Sequence, residues 1–155
     1  MENRSGHCFS EYAFEYGSRE FWQSVELRQR VLREPLGLTL TVRELLVECA
    51  PVVHYGLFEW LGEQTAAPII ACASARPLAD EIWQIRQVAV VPLYQGRGFG
   101  SRVMIGLEEH LRQDGAAGIC LHARRNVQEF YEKLGYKVTG EPFEEIGLPH
   151  VRMEK

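Results

Sequence analysis

The chain has 155 residues, of which 46% are apolar and 25% charged, with aromatic residues spread throughout. This excludes a disordered, collagen-like or low-complexity chain and leaves room for one domain with a sizeable core. A net charge of −4, with no basic block longer than Arg124-Arg125, argues against a nucleic-acid binder that works by phosphate neutralisation.

No apolar run approaches the roughly 18 residues of a membrane span, so no membrane contact is expected. The stretch MENRSGHCFSEY lacks the apolar centre of a signal peptide, so a reducing, cytoplasmic setting is expected. Cys8, Cys49, Cys72 and Cys120 form no CxxC pair and have no histidine at zinc spacing. Three of them read as small buried thiols, and no metal is expected.

In chain order, FSEYAFEY at 9–16 alternates as a first strand should, and Gly17-Ser18 offers a turn and a helix N-cap. Phe21, Trp22, Val25, Val31 and Leu32 suit an amphipathic helix from Arg19 to Arg33, stopped by Pro35 and Gly37. Thr41 and Glu44 have capping-box spacing, which predicts a short second helix. His54 to Leu61 and Pro68 to Arg76 read as a hairpin around a polar turn at Gly62–Ala67. Residues 82–91 make a third long strand that ends at Pro92.

After QGRGFG, the residues Val103, Leu107 and Leu111 mark a helix that Asp114-Gly115 ends. Ile119 to Ala123 is apolar enough for a buried strand. Asn126 with Glu129 looks like a further N-cap, opening a helix that runs to Gly135. Tyr136–Gly140 and His150–Glu154 close the chain as two strands around a loop rich in Glu, Pro and Gly. The order predicts a single α/β domain with a mixed sheet.

QGRGFG carries the chemistry. Glycines tolerate positive φ and leave backbone amides uncovered, and the helix that follows adds its positive end, so the loop is suited to a phosphate or pyrophosphate. A P-loop needs Lys-Ser or Lys-Thr after its last glycine, but Ser101-Arg102 follows here. A dinucleotide fingerprint needs a glycine where Ser101 stands. A turn that only lets strand and helix pack closely is the remaining structural reading.

The flanking residues carry a resemblance. VAVVPLYQGRGFGSRVM resembles the acetyl-CoA-binding segment of the GNAT acyltransferases, whose signature is Gln or Arg, two residues, Gly, one residue, then Gly or Ala; Gln95, Gly98 and Gly100 match it. NVQEFYEKLGYKVTG resembles that family's closing helix and strand. Within the family, LRQRVLREPLGL at 27–38 and GLPHVRMEK at 147–155 resemble a bacterial subgroup whose substrates are mostly unassigned. The resemblance implies an α/β, three-layer fold. It has a mixed central sheet of about seven strands flanked by about four helices, with residues 1–155 as one domain.

It also implies a site. The pyrophosphate of acetyl-CoA would rest on the loop of Gln95, Gly96, Arg97, Gly98, Phe99, Gly100 and Ser101, with Arg97 and Arg102 adding charge. The pantetheine arm would pair with the backbone of Val88, Ala89 and Val90, with Asn126 bonding it as well. Tyr131 matches the family's general acid, although it also reads as a half-buried aromatic on a helix face. A phenol donates to a leaving thiolate readily, their ordinary pKa values being about 10 and 8.5.

The base is open. Many relatives have a carboxylate in the strand before the loop, where this chain reads Trp83-Gln84-Ile85-Arg86. Glu81, His122 and His150 are the base candidates, acting through ordered water or on an acceptor that arrives neutral. Each histidine also reads as a hydrogen-bonded structural residue. Glu141, Glu144 and Glu145 suit a cationic acceptor, but read better as a solvated acidic run.

The activity implied is acetyl-CoA-dependent N-acetylation of a primary amine by direct attack in a ternary complex, without a metal. The alternatives are a non-catalytic acyl-CoA-binding module and a protein lysine or N-terminal acetyltransferase. The implied partners are acetyl-CoA and an amine-bearing small molecule or peptide, and a homodimer fits the fold.

Overall fold

The computed structural model describes residues 8–60 and 67–155. The expected hairpin turn therefore lies outside the described residues, apart from Ala67, as do residues 1–7. Eight strands form one sheet: β1 (Cys8–Phe14), β2 (Val53–Trp60), β3 (Ile69–Pro77), β4 (Ile82–Val90), β5 (Gly118–Arg124), β6 (Lys137–Val138), β7 (Phe143–Glu145) and β8 (Leu148–Glu154). The spatial order is β1-β2-β3-β4-β5-β8-β6, with β7 also pairing β8. Among the described residues only β4 and β5 run parallel. That parallel pair needs a crossover, which is α3 (Phe99–Gln113).

The other α-helices are α1 (Arg19–Arg28), α2 (Val42–Leu46) and α4 (Gln128–Lys133). As expected, Ser18 caps α1 by accepting from the Phe21 amide, and Thr41 and Glu44 form both halves of a capping box on α2. The first helix is shorter than the predicted Arg19–Arg33. It widens into a π turn at Gln29–Arg33 and tightens into a 3₁₀ turn at Glu34–Leu36, before Gly37 stops it in the left-handed region. Pro35 allows the tight turn at its start but no continuing helix.

Three further expectations are corrected. Asn126 does not cap α4: it sits in a 3₁₀ turn at Arg125–Val127, and the cap position is Val127, with no side-chain hydrogen bond. The Glu-rich loop contains a strand, β7, which shares the outer edge of β8 with β6. Two cysteines are buried, not three: Cys72 and Cys120 are buried, Cys8 is intermediate and Cys49 is exposed.

Both faces of the sheet are covered. Alternation on β3 sends Ala71, Ala73 and Ala75 into the larger core, where they meet the fully buried Val103, Met104, Leu107 and Leu111 of α3. Cys72 points the other way, into a smaller cluster with Leu27 of α1, Phe58 and Ala89.

Beneath α1 lies a buried polar network. The guanidinium of Arg28 donates to both oxygens of Glu48, at 2.7 and 2.9 Å, with the two side chains only 3% and 6% exposed. Arg28 also donates to Gln87, whose own amide donates to Glu48 at 3.0 Å. Gln87 has φ of 58° and lies where the β3–β4 register slips by a residue, between Cys72↔Ala89 and Ser74↔Arg86. The network thus grips the bulge that bends β4.

Candidate active site

The bend in β4 has a direct consequence. Pairing between β4 and β5 begins at Ile82↔Gly118 and stops at Ile85↔Leu121. Beyond that point the two strands diverge, so the backbone from Arg86 to Val90 has β3 on one edge and, among the described residues, no strand on the other. A main-chain donor and acceptor row is left facing a cleft of about 910 Å³. This row can accept an extended guest much as a sheet edge accepts another strand.

The glycine loop closes one end of that cleft. Gly96 and Gly98 have φ of 72° and 85°, and a Cβ built on either would meet nothing within 4 Å. Gly98 is the N-cap of the 15-residue α3 and supplies no side-chain bond to its first turn. The opening amides of α3 therefore lack an intrahelical acceptor and present partial positive charge to open space, as an anion requires.

Gln95 borders that space with its side chain already engaged. Its side-chain amide donates to the Val90 carbonyl at 3.0 Å, which clamps the loop to the end of β4. Arg97 lies over the rings of Tyr94 and Phe99, 5.1 and 5.6 Å from their centroids. Phe99 is itself buried in the core. Arg102 pairs with Glu11 of β1 at 3.3 Å, which turns its charge away from the loop mouth.

Of the expected site residues, Val88, Ala89, Val90, Gln95, Gly96, Gly98, Gly100, Ser101, Asn126, Tyr131, His122 and His150 all line this one cleft. Glu81 does not. It sits in the turn before β4 with φ of 60°, at the end of the strand remote from the glycine loop, where its carbonyl accepts from the Ala117 amide.

Tyr131 projects from α4, half-buried against Phe130 and Tyr136. Burial pushes its phenol up to about 12, with the charge of Arg124 pulling the other way. Its hydroxyl bonds to no partner among the described residues, and it is protonated at any pH near neutrality.

The same cleft holds an arrangement that sequence reasoning missed. The carboxylate of Glu145 on β7 lies between two histidines: one oxygen is 3.1 Å from His122 Nδ1, the other 3.6 Å from His150 Nε2. The carboxylate only accepts, so in neutral His122 the proton sits on Nδ1 and Nε2 keeps its lone pair. His150 is buried and donates from Nδ1 to the Leu148 carbonyl at 2.8 Å. Phe143 packs edge-on against His122 and stacks on His150.

Glu145 is exposed, as Glu141 and Glu144 are and as a solvated acidic run requires, but its carboxylate also faces the two histidines. The signal was present in the register. Residues 143–145 pair with 150–148, and His122 sits on the next strand opposite Arg152. Without knowing that β7 is a strand, however, the three side chains cannot be brought together.

The remainder of the cleft is lined by arginines the sequence reading did not single out. Arg76 and Gln84 are bonded across β3 and β4 at 2.8 Å, and Arg86 lies two residues further along the same face. Arg33 is paired with Glu44 at 2.8 Å, and Arg124 donates to the Leu32 carbonyl at 2.9 Å. Polar residues at alternating positions of a central strand, as Gln84 and Arg86 are, were the available sign of a lined cavity.

The acetyltransferase (GNAT) domain model matches residues 65–155, more than half of the chain. The uncharacterized protein YyaT of Bacillus subtilis (strain 168) is 33% identical over 72 residues, covering 46% of this chain and 49% of that protein. The chain spans about half the length of the curated relatives it matches. A crystal structure from Lactobacillus plantarum, provisionally described as an N-acetyltransferase, superposes with a TM-score of 0.80 at 26% identity, over 96% of this chain and 97% of that one. An aminoglycoside 6'-N-acetyltransferase complexed with coenzyme A has a TM-score of 0.75 at 16% identity, over 94% and 96% of the two chains, and is alike in fold.

Proposed function

The chain belongs to the acetyltransferase (GNAT) family, and on that premise we propose that it transfers an acetyl group from acetyl-CoA to a primary amine. The observation that carries this reading is the unpaired edge of β4 running straight into the uncovered amides of the α3 N-terminus, within one cleft. A pyrophosphate on the loop and an extended arm along the edge fit that continuous surface. The aminoglycoside acetyltransferase of similar fold, complexed with coenzyme A, supports the same donor.

Bound acetyl-CoA supplies an activated thioester carbonyl. The amides of Gly98 to Ser101 hold the donor's phosphates, and the edge from Val88 to Val90 orients its arm by main-chain hydrogen bonds. Gln95 acts on the loop and not on the guest, by fixing it to Val90.

His122 is the base. Glu145 anchors Nδ1 and leaves Nε2 to take the amine's proton, while Phe143 restricts the ring. As the nitrogen–carbon bond forms and the carbon–sulfur bond breaks, Tyr131 donates to the departing sulfur. The products are the acetylated amine and the CoA thiolate, which Tyr131 holds by that hydrogen bond until solvent protonates it, while His122 releases the amine's proton to solvent. His150 takes no step: its proton is on Nδ1, bonded to the Leu148 carbonyl, and its Nε2 only stands 3.6 Å from the other Glu145 oxygen. Glu81, remote from the cleft, takes no part.

Two measurements test this. Calorimetric titration with CoA is expected to show binding that Gly98→Glu abolishes, because bulk and negative charge then occupy the cradle. Thiol release is expected to fall about 100-fold or more in His122→Gln, in line with loss of a general base. Unchanged CoA affinity in Gly98→Glu rejects the donor site, and unchanged thiol release in His122→Gln rejects the base.

A further inference from the structure

The acceptor half of the cleft has an unbalanced charge. Four arginines line it, Arg33, Arg76, Arg86 and Arg124, against two glutamates, Glu44 and Glu145. Glu44 is engaged by Arg33, and Glu145 has both oxygens directed at histidines. Arg124 is tied to a backbone carbonyl and Arg76 to Gln84. That leaves Arg86, which lines the cleft from the middle of β4 and has no hydrogen bond or ion pair to its guanidinium among the described residues. Its backbone position is fixed, since Arg86 pairs with Ser74, whose hydroxyl donates to the Arg86 carbonyl.

We propose that the acceptor is a small primary amine that also carries a carboxylate or phosphate, and that Arg86, with Arg76 beside it, seats that anion. The inference rests on the acetyl-transfer reading above and names the class of its second substrate. A planar guanidinium in a concave wall, free of a protein carboxylate, matches the oxygens of either anion with two parallel hydrogen bonds. Crowding by the surrounding protein, followed by the like charge of Arg76, lowers the pKa of Arg86, while Glu145 and Glu48 act the other way. An arriving anion offsets the like charge of Arg76. The amine end then lies toward His122, on the neighbouring strand. An acceptor with several cationic groups would meet the same arginines as repulsion.

Pairs of amines differing only in the anion test this: γ-aminobutyrate against its amide, and O-phosphoethanolamine against ethanolamine, with spermidine as a polycation. Thiol release is followed at saturating acetyl-CoA, and CoA affinity is measured alongside. The anionic member of at least one pair is expected to have a kcat/KM about 10- to 100-fold higher, the worth of a charge-assisted hydrogen bond. The two pairs tell carboxylate from phosphate.

Arg86→Gln is expected to bring that ratio close to one through the KM of the anionic amine, and Arg86→Lys to restore part of it. Preference for the neutral or polycationic amines overturns the inference, as does a ratio that survives in Arg86→Gln. Acetyl-CoA binding without turnover of any anionic amine also overturns it, while leaving the donor-site reading in place. Failure of acetyl-CoA to bind overturns that reading and this inference with it.

Discussion

Replacing Tyr131 by phenylalanine removes one oxygen from the cleft that the glycine loop, the β4 edge and the two histidines also line. The phenol lies at about 12, whereas an ordinary thiol titrates near 8.5. Complete proton transfer to the departing sulfur is therefore uphill by about 3.5 pKa units, or about 4.8 kcal/mol. That penalty favours a hydrogen bond that strengthens as charge builds on sulfur over full transfer before the bond breaks. A hydrogen bond to a charged group is worth roughly 1.5 to 3 kcal/mol, so Tyr131→Phe should lower kcat about 10- to 150-fold, below the upper range for general acids.

An assay that needs no acceptor checks the same quantity. The same hydrogen bond stabilises the thiolate of bound CoA, so its thiol pKa, followed by thiolate absorbance, should rise by about 1 to 2 units in Tyr131→Phe. The native pH–rate profile should also show no fall attributable to the phenol below about pH 10.5. The sign for stability follows the same shift. A folded pKa above the ordinary value of 10 gives a contribution fully present below pH 10 and lost as pH rises toward 12. An unshifted CoA thiol in Tyr131→Phe, or a native descending limb near pH 9 that the variant lacks, would refute the reasoning.

Glu48→Gln leaves the buried Arg28 guanidinium without its counter-charge, a loss of roughly 3 to 5 kcal/mol. For a domain of this length that lowers Tm by about 9 to 15 °C, read by circular dichroism; a change under about 2 °C contradicts the role given to the network. His54 is buried and donates from Nε2 to the Glu48 carbonyl at 2.8 Å, and burial lowers its pKa below the ordinary 6.5. The unfolded chain therefore takes up the proton first, and this contribution to stability is present above pH 6.5 and lost as pH falls below it. The urea midpoint should consequently drop less between pH 7 and pH 5 in His54→Gln than in the native chain. Burial also pushes the Cys72 thiol up to about 12, whereas Cys49 is exposed. Mass spectrometry after brief treatment of the native protein with iodoacetamide should find Cys49 alkylated and Cys72 intact.

The end of the cleft proposed for the donor could be picked out in the sequence because its elements are local. The glycines, the helix they open and the strand before them are consecutive, and the short motif around Tyr131 is equally compact. The capping box of Thr41 and Glu44 could be read for the same reason. Asn126 misled because a polar residue near a helix start suggests a cap, yet a 3₁₀ turn intervenes and shifts the cap to Val127.

The end proposed for the acceptor depends on register between distant segments. Arg76 meets Gln84, and Glu145 meets His122 and His150, only after β3, β4, β5, β7 and β8 align. The strand character of Phe143–Glu145 was hidden by its three-residue length and its two glutamates. The bulge at Gln87 had no local signature either, since its positive φ is held by Arg28 and Glu48 from far along the chain.

The central claim is that one continuous surface, the α3 amides and the open edge of β4, holds the donor with its thioester between Tyr131 and His122. A crystal structure of the complex with acetyl-CoA measures this directly. The account predicts the pyrophosphate over the amides of residues 96–101, the pantetheine hydrogen-bonded to the backbone at Val88–Val90, and the sulfur within hydrogen-bond reach of Tyr131 Oη. A donor bound elsewhere, or one in this cleft with its sulfur remote from Tyr131, would contradict it.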